Sequence, residues 1–258
     1  MSLLSNETGW RSCRVARGRE LTILIVSDIH YEQGYHHATF EGDAFDWLLG
    51  VIKRTGAEDL VGLGDWGYAY TLEEWMDLTK YVRCHGIYGN HDNIPVFGSV
   101  KNTNGSHIMA KDGESRPIGG LRFGFINGIM ADTRKLKGNV PRKTPDDFRM
   151  YAARLKGKID VLCTHESPMV DEYTGRFHVA PGIMTMKEII EDLQPMMALH
   201  GHLSGPYTVA KIGRTVCVRV DSSPAEKHFV VFDPKTGFGE VRTDAQEEPM
   251  ETFNTRGL

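Results

Sequence analysis

Five short apolar runs, each followed at once by Asp, Asn or His, constrain this chain more than any other feature. They occur in LTILIVSDIH, LVGLGD, HGIYGNHD, IDVLCTH and MMALHGH. Apolar runs of this length are typical of strands that are buried on both faces of a sheet. Because ligands of open α/β sheets bind beyond the carboxyl ends of the strands, we expect the polar residues to meet in space. The candidate metal ligands are Asp28, His30, Asp65, Asn90, His165 and His202.

Helical signals alternate with these runs, as an α/β order requires. The N-terminal signals are Thr71 with Glu74, Thr144 with Pro145, Thr185 with Glu188, and Asp43. The first and third are capping-box patterns, and the second places proline at the first helical position. We expect the helix after Thr71 to run to about Arg83, and a helix over about 43–54 to be capped by Gly56.

Length and ligand spacing favour one large domain. The chain has 258 residues, 40% of them hydrophobic, and its candidate ligands run from Asp28 to His202. An early and a late segment must therefore meet in one site. We predict an N-terminal extension over 1–20, a single domain over 21–243, and a loosely held polar tail over 244–258. Within that domain, the segments PYTVAKI, TVCVRV, HFVVFD and GFGEVRT are expected to form an antiparallel meander that completes a second sheet.

Charge and cysteine usage exclude several classes of protein. The formal net charge of -4 gives no sign of a general polyanion binder, so a nucleic-acid partner is not favoured. The four cysteines form no C-x-x-C pair, which argues against a thiolate zinc site and fits a reducing compartment. No stretch has the length and apolarity of a signal peptide core or a membrane span. We therefore expect a cytoplasmic protein without a membrane partner, and the sequence leaves its oligomeric state open.

The D-x-H, G-D, G-N-H-D, single His and G-H motifs, in this order over about residues 21–205, closely resemble the calcineurin-like metallophosphoesterase superfamily. The resemblance implies an α/β fold, a four-layer αββα sandwich of two mixed β-sheets with flanking helices. It also implies two metal ions, with Asp65 as the bridging ligand. Asp28 and His30 would belong to the first metal, and Asn90, His165 and His202 to the second. Carboxylate, imidazole and amide ligands suit Mn, Fe, Zn or Co, of which we favour Mn.

The resemblance further implies roles for the G-N-H-D residues. His91 would protonate the leaving oxygen, and Asp92 would orient the His91 ring. Two metals about 3.5–4 Å apart supply a hydroxide nucleophile and neutralise the phosphoryl charge, so hydrolysis would need no covalent intermediate. One departure from the family pattern matters, because Ser204 stands where a second His usually completes the first metal. We expect that metal to bind more weakly.

These residues predict a metal-dependent phosphoester hydrolase, and we lean towards a phosphodiesterase on small organic phosphates or nucleotides. Two alternatives remain: a nuclease acting on DNA or RNA, and a weakly active or non-catalytic metal-binding interaction module. Further residues have both a functional and a structural interpretation. His36 and His37 could line the substrate mouth, and Arg134, Lys135 and Lys137 could contact substrate phosphate, but solvated surface is the simpler interpretation of all five. Trp66, Tyr68 and Tyr70 could stack on a base or an aromatic leaving group, or equally cover the neighbouring helix.

Overall fold

The strands and helices are described for residues 21–36, 39–173 and 181–256 in a computed structural model. The predicted extension over 1–20 lies outside the described residues. The strands are β1 (Ile23–Val26), β2 (Tyr35–His36), β3 (Thr39–Phe40), β4 (Asp59–Gly62), β5 (Arg83–Gly86), β6 (Glu114–Ile118), β7 (Leu121–Ile126), β8 (Lys135–Lys137), β9 (Val140–Arg142), β10 (Val161–Thr164), β11 (Met197–His200), β12 (Thr208–Ile212), β13 (Thr215–Arg219), β14 (His228–Asp233), β15 (Phe238–Thr243) and β16 (Glu251–Asn254). The helices are α1 (Ala44–Thr55), α2 (Leu72–Leu78), α3 (Ile94–Ser99), α4 (Pro145–Leu155) and α5 (Pro181–Leu193).

Two six-stranded mixed sheets contain the predicted strands. One has the order β16-β15-β14-β1-β4-β5 and the other β12-β13-β11-β10-β7-β6. The apolar runs form parallel neighbours, β1 with β4 and β4 with β5 in the first sheet, and β10 with β11 in the second. Every residue of β1, β4, β10 and β11 is buried, as strands covered on both faces require. The carboxyl ends of these strands consequently lie at one edge of each sheet.

The structure has four layers: helices, the first sheet, the second sheet and further helices. Three apolar clusters fill the spaces between them. The layer between the first sheet and its helices contains Leu48 of α1 and Trp75 of α2. The layer between the sheets joins residues of both, among them Ile25 and Phe123. The layer outside the second sheet contains Phe148 of α4 and its neighbours from α5. Burial of this kind stabilises by roughly 25 cal/mol per Å², and the two sheets share one core.

The helix ends agree only in part with the predictions. Gly56 has the left-handed conformation (φ 61°) expected of its cap position, and Thr144 forms the predicted cap. α2, however, ends at Leu78 rather than near Arg83, because residues 79–82 turn tightly and Arg83 already pairs in β5. The predicted start of α5 at Thr185 is also wrong, since the helix begins at Pro181. Proline is tolerated at a helix start because the N–H that it lacks would have no partner within the helix.

The C-terminal third departs from the predicted single meander. β12 and β13 join the second sheet, whereas β14 and β15 cross to the first, where β14 pairs with β1. The expectation of a loosely held tail from Asp244 is wrong over Glu251–Asn254, because this segment is β16 and pairs with β15. Phe253 explains the difference, since it is buried in the core between the sheets.

Candidate metal centre

The candidate ligands lie just beyond the strand ends. Asp28 follows β1, Asp65 follows β4, and Asn90 follows β5, while His165 and His202 follow β10 and β11 of the other sheet. Two groups of possible ligand atoms form there, each with all its atoms within 4.8 Å of one another. One consists of Asp28, His30 and Asp65, and the other of Asp65, His165 and His202. The predicted ligands from both ends of the chain therefore meet.

Asp65 belongs to both groups. Its Oδ2 lies 3.7 Å from Nε2 of His30 and 3.3 Å from Nε2 of His165. The same His30 nitrogen lies 3.8 Å from Oδ1 of Asp28. Asp65 Oδ1 accepts hydrogen bonds from the backbone N–H of Asn90 at 2.5 Å and of His91 at 2.7 Å. One carboxylate thus faces two ligand clusters and also holds the G-N-H-D loop against them.

Four of the six candidate ligands have a strained backbone. The φ angles of Asp28, His30, Asp65 and His202 are 56°, 49°, 53° and 70°. Non-glycine residues rarely adopt this left-handed region, and such outliers concentrate at functional sites. The fold therefore holds these side chains in directions that ordinary strand or helix geometry does not provide.

Two motif glycines allow the ligands to approach each other. A Cβ on Gly89 would collide with Oδ1 of Asp65 and would lie 2.6 Å from Nε2 of His165. A Cβ on Gly201 would collide with Oγ of Ser27 and Oδ2 of Asp28. The space that a methyl group would fill at Gly89 lies among the second group of ligand atoms.

Two buried atoms without hydrogen-bond partners among the described residues fit a metal site. They are Oδ1 of Asn90 and Nε2 of His165. Nδ1 of His165 lies 2.8 Å from the carbonyl oxygen of Leu63, which only accepts, so Nδ1 carries a proton and Nε2 can bind a metal once it loses its own proton. Leaving Oδ1 of Asn90 unpaired costs about 1–3 kcal/mol. A metal ion would satisfy both, and the donor set of oxygen and imidazole nitrogen suits the transition metals expected from the sequence.

Electrostatic interactions in this cluster are strong. Burial raises the pKa of Asp28 to about 7, although the charge of His165 opposes the rise. Burial alone would raise the pKa of Asp65 as well, but His165 and its neighbours hold it well below the usual range. Burial would lower the pKa of His165, yet the surrounding carboxylates raise it to about 10. Burial and the charge of His165 lower the pKa of His202 to about 3. The protein thus concentrates negative charge where a cation would bind.

His91 is exposed, and its ring centroid lies 5.4 Å from that of His30. It therefore faces solvent beside the first ligand group, where an incoming substrate would lie. The predicted orienting role of Asp92 is wrong. Its buried carboxylate accepts hydrogen bonds from the backbone N–H groups of Asp65 (3.0 Å), Trp66 (2.7 Å) and Gly89 (2.6 Å). Asp92 therefore holds the loops together, and no hydrogen bond joins its carboxylate to the His91 ring among the described residues.

Ser204 is exposed in the loop after His202. Buried Arg219 donates hydrogen bonds to the carbonyl groups of Leu203 and Pro206 on either side of it. The backbone N–H of Gly205 donates to Oδ2 of Asp221 at 3.1 Å. Three side-chain contacts therefore fix the loop that carries Ser204, the position at which the resemblance would place a second His.

Asp221 and Arg142 belong to this region, although sequence patterns did not indicate them. Asp221 is buried, and its charge adds to burial and to Asp65 in raising the pKa of Asp28. The charge of Arg142 acts on His202. Neither residue belongs to the glycine and histidine motifs, so only the three-dimensional arrangement reveals them.

The weaker candidates separate into different environments. Trp66 and Tyr70 are buried in the aromatic core, whereas Tyr68 is 44% exposed with its ring centroid 6.2 Å from that of His91. Arg134 forms an ion pair with Asp147. His37 lies outside the described residues, as does the side chain of His36.

The comparisons with known proteins agree with this architecture. A sequence model of the calcineurin-like phosphoesterase superfamily domain matches residues 21–203. No curated protein matches the sequence. In the described part of the chain, no helix has the length and apolarity to cross a bilayer.

Several solved structures share the fold at low sequence identity. The protein TT1561 of Thermus thermophilus is 14% identical with a TM-score of 0.62, and the match covers 92% of this chain and 99% of that one. GAP50, described as the anchor in the inner membrane complex of Plasmodium, is 12% identical with a TM-score of 0.54, covering 91% and 88%. Purple acid phosphatase PPD1 of yellow lupin (Lupinus luteus) is 14% identical with a TM-score of 0.53, and the match covers 90% of this chain but 53% of that enzyme. These likenesses confirm the predicted four-layer fold.

Proposed function

The chain belongs to the calcineurin-like phosphoesterase superfamily, and we propose that it is a metal-dependent hydrolase of phosphodiesters in small organic phosphates or nucleotides. The observation that carries this proposal is the position of Asp65 in both groups of ligand atoms. A carboxylate shared in this way is what a two-metal hydrolytic site needs. The strained backbone of four ligands supports the same interpretation, because such strain is typical of functional sites.

The residues would divide between two metal ions as the family resemblance implies. Asp28 and His30 would hold the first, and Asn90, His165 and His202 the second, with Asp65 between them. When bound, the ions would supply an activated water and neutralise charge on the phosphoryl oxygens. Mn is our first choice among Mn, Fe, Zn and Co.

We assign His91 as the general acid. Its exposed ring lies beside His30, and its backbone N–H is fixed by Asp65. A ring proton of His91 would pass to the leaving oxygen as the ester bond breaks. The Asp92 carboxylate accepts hydrogen bonds from three backbone N–H groups. In this proposal the His91 ring is therefore held through the hydrogen bond of its own backbone N–H to Asp65 and not by the Asp92 carboxylate.

Tyr68 supports the preference for esters with an organic leaving group. Its hydroxyl donates to the carbonyl oxygen of Asn90 at 3.3 Å, and its ring stands at the side of His91 with 44% exposure. An aromatic wall next to the proton donor favours a flat or apolar leaving group. The side chain of His30 is 28% exposed, so a substrate can approach the first ligand group from solvent.

The test compares hydrolysis of bis(p-nitrophenyl) phosphate and p-nitrophenyl phosphate by the purified chain, with Mn added or with a chelator. Asp65→Ala is the blank, because it removes the shared ligand while leaving the strands intact. We expect metal-dependent turnover above the blank, faster with the diester. Turnover of the monoester alone would refute the diester preference, and equal rates for the chain and the blank with every metal tried would refute hydrolysis.

A metal-binding interaction module is the second candidate, and the exposed position of Ser204 favours it. No second His completes the first ligand group among the described residues. GAP50, which shares the fold, is described as an anchor. This alternative predicts that the metal-loaded chain binds a protein partner and does not turn over either ester.

A further inference from the structure

We propose that Lys135 and Lys137, which share one face of the β8–β9 hairpin with Arg142, form a subsite for a second phosphate group of the substrate, while Arg142 contacts the reacting phosphate. The substrate class would then be phosphoesters that carry another phosphate close to the reacting one. This inference rests on the proposed hydrolytic function and names the substrate of the same site.

The pairing register places the three cations together. Lys135 lies directly opposite Arg142, Leu136 opposite Pro141, and Lys137 opposite Val140. Directly opposed residues share a face of a hairpin, and residues two apart along a strand do as well. Lys135, Lys137 and Arg142 therefore point to one side and Leu136 to the other.

That side is the inner one. Val140 shares it and is buried in the core between the first sheet and its helices. Leu136, on the opposite side, is 70% exposed. On this face Arg142 is half-buried, whereas Lys135 and Lys137 are exposed, so the cations run from the body of the protein out to solvent.

The base of the hairpin is attached next to the metal centre. The backbone N–H of Met130 donates to Oε2 of Glu166 at 2.7 Å, and Glu166 follows the candidate ligand His165. Backbone hydrogen bonds join Lys143 to Ile129 and Ala131 on the other side of the base. These contacts fix Arg142, the last residue of β9, close to the ligand groups.

The residue that follows Arg142 is also attached to the loop that carries Asn90. Nζ of Lys143 donates a hydrogen bond to the hydroxyl of Tyr88 at 2.9 Å. Tyr88 lies two residues before the candidate ligand Asn90. The base of the hairpin therefore contacts the loops that carry ligands from both sheets.

None of the three cations has an acidic partner among the described residues. Nε of Arg142 is buried and makes no hydrogen bond there. Neighbouring Arg134, by contrast, is neutralised by Asp147. Unpaired cations that share the inner face of a hairpin beside a hydrolytic centre are suited to a phosphate, and the Arg142 fork can bind two of its oxygens.

The spacing sets the distance between the two phosphates. Opposed residues of a hairpin lie about 5 Å apart, and residues two apart in a strand about 6.5–7 Å apart. With Arg142 at the reacting phosphoryl group, as proposed, the lysines would hold a second phosphate roughly 5–7 Å away, the spacing of these residues on the hairpin. A nucleotide bearing a second phosphate meets this requirement.

The test uses two chromogenic diesters, the p-nitrophenyl ester of thymidine 5′-phosphate and the same ester with an added 3′-phosphate. We expect kcat/KM to be at least about tenfold higher for the second, since one or two charge-assisted hydrogen bonds are at stake. Lys135→Gln/Lys137→Gln should lose this preference and keep turnover of the first ester. Arg142→Gln should slow both esters. Lys211→Gln/Lys235→Gln is the matched control, with two exposed lysines outside the hairpin, and should keep the preference.

Equal kcat/KM for the two esters, or a preference that survives in Lys135→Gln/Lys137→Gln, would overturn the subsite while leaving the hydrolytic function intact. A single-stranded oligonucleotide cleaved far faster than both esters would overturn the small-substrate class. If neither ester turns over, the hydrolytic proposal fails, and calorimetry of the Mn-loaded chain then decides the subsite. The subsite is supported if the chain binds pyrophosphate at least about tenfold more tightly than phosphate and Lys135→Gln/Lys137→Gln loses this difference. Equal binding of the two anions overturns the subsite.

Discussion

Oδ2 of Asp65 lies 3.3 Å from Nε2 of His165, the nitrogen that we propose binds the second metal. Carboxylates around His165 raise the pKa of its ring to about 10 against the effect of burial. Without metal, a proton therefore occupies the position of the ligand bond. Proton and metal compete for one lone pair.

We predict that metal binding at pH 7 to 8 releases protons. Titration calorimetry in buffers of different ionisation enthalpy measures the number released. Since the pKa of His165 lies above this range, apparent affinity should rise with pH, by about tenfold per pH unit for one displaced proton. Binding without proton release, or with an affinity that does not depend on pH, would show that the His165 ring is neutral in the metal-free protein.

Gly89→Ala should abolish binding of the second metal. The added methyl group would lie 2.6 Å from Nε2 of His165 and would collide with Asp65, so that the two ligands cannot converge. Metal content of the purified variant measures the effect. Gly34→Ala is the control, because nothing lies within 4 Å of a Cβ at that position. Equal metal content in the two variants would contradict the assigned ligand positions.

The variant His202→Gly should be more stable than His202→Ala. Elsewhere in a folded chain, glycine is usually less stabilising than alanine. His202 has a φ of 70°, a conformation that glycine adopts freely and that costs an L residue about 1 kcal/mol. Urea unfolding of the metal-free variants should give a free energy of unfolding about 1 kcal/mol higher for His202→Gly than for His202→Ala. At Lys211, inside strand β12, alanine should be the better of the two. If alanine is also better at position 202, the local strain is absent.

Part of the free energy of unfolding should depend on pH through Asp59, which lies at the end of the first sheet remote from the candidate metal centre. Nε2 of His85 lies 3.0 Å from Oδ1 of buried Asp59, and the Arg83 guanidinium lies 2.5 Å from the same oxygen. Burial alone would raise the pKa of Asp59, but these hydrogen bonds lower it. A lowered carboxylate pKa stabilises the protein above the unfolded value of about 4 and ceases to do so as pH falls through the folded value.

Asp59→Asn should therefore cost about 2 kcal/mol of unfolding free energy at pH 7, because the Arg83 guanidinium and the His85 ring are left without their carboxylate partner. The difference from the unchanged chain should shrink as pH falls below about 4. Urea unfolding in chelator from pH 7 to pH 3 measures both quantities. A difference that is constant with pH would mean that Asp59 is not ionised in the folded protein.

The sequence predicted that the candidate ligand residues meet, because each follows a buried strand and strand ends converge for topological reasons. Asp28 and His202 are 174 residues apart, yet the backbone N–H of His202 lies within hydrogen-bonding distance of both Asp28 carboxylate oxygens. The role of Asp92 was predicted wrongly, since a motif gives residue order but not side-chain direction. The left-handed backbone of the ligands has no local signal either, because it is imposed by the contacts around it.

Contributions from irregular or late segments were harder to predict. Arg142 belongs to a short hairpin in a stretch without clear periodicity, and its partners are distant in sequence. The tail strand Glu251–Asn254 is polar at most positions, and only Phe253 enters the core. The Thr185 capping signal was misleading because Pro181 had already started the helix one turn earlier.

The most direct test of the central claim compares Asp65→Ala with His91→Ala, with metal content and turnover measured on the same samples. Asp65 is shared by both ligand groups, whereas His91 is exposed beside them and belongs to neither. We predict that Asp65→Ala loses metal and activity together. His91→Ala should retain two metal ions and lose about 10²–10⁴-fold in kcat, as expected for a general acid. Equal loss of metal in both variants, or full activity of His91→Ala, would contradict the account.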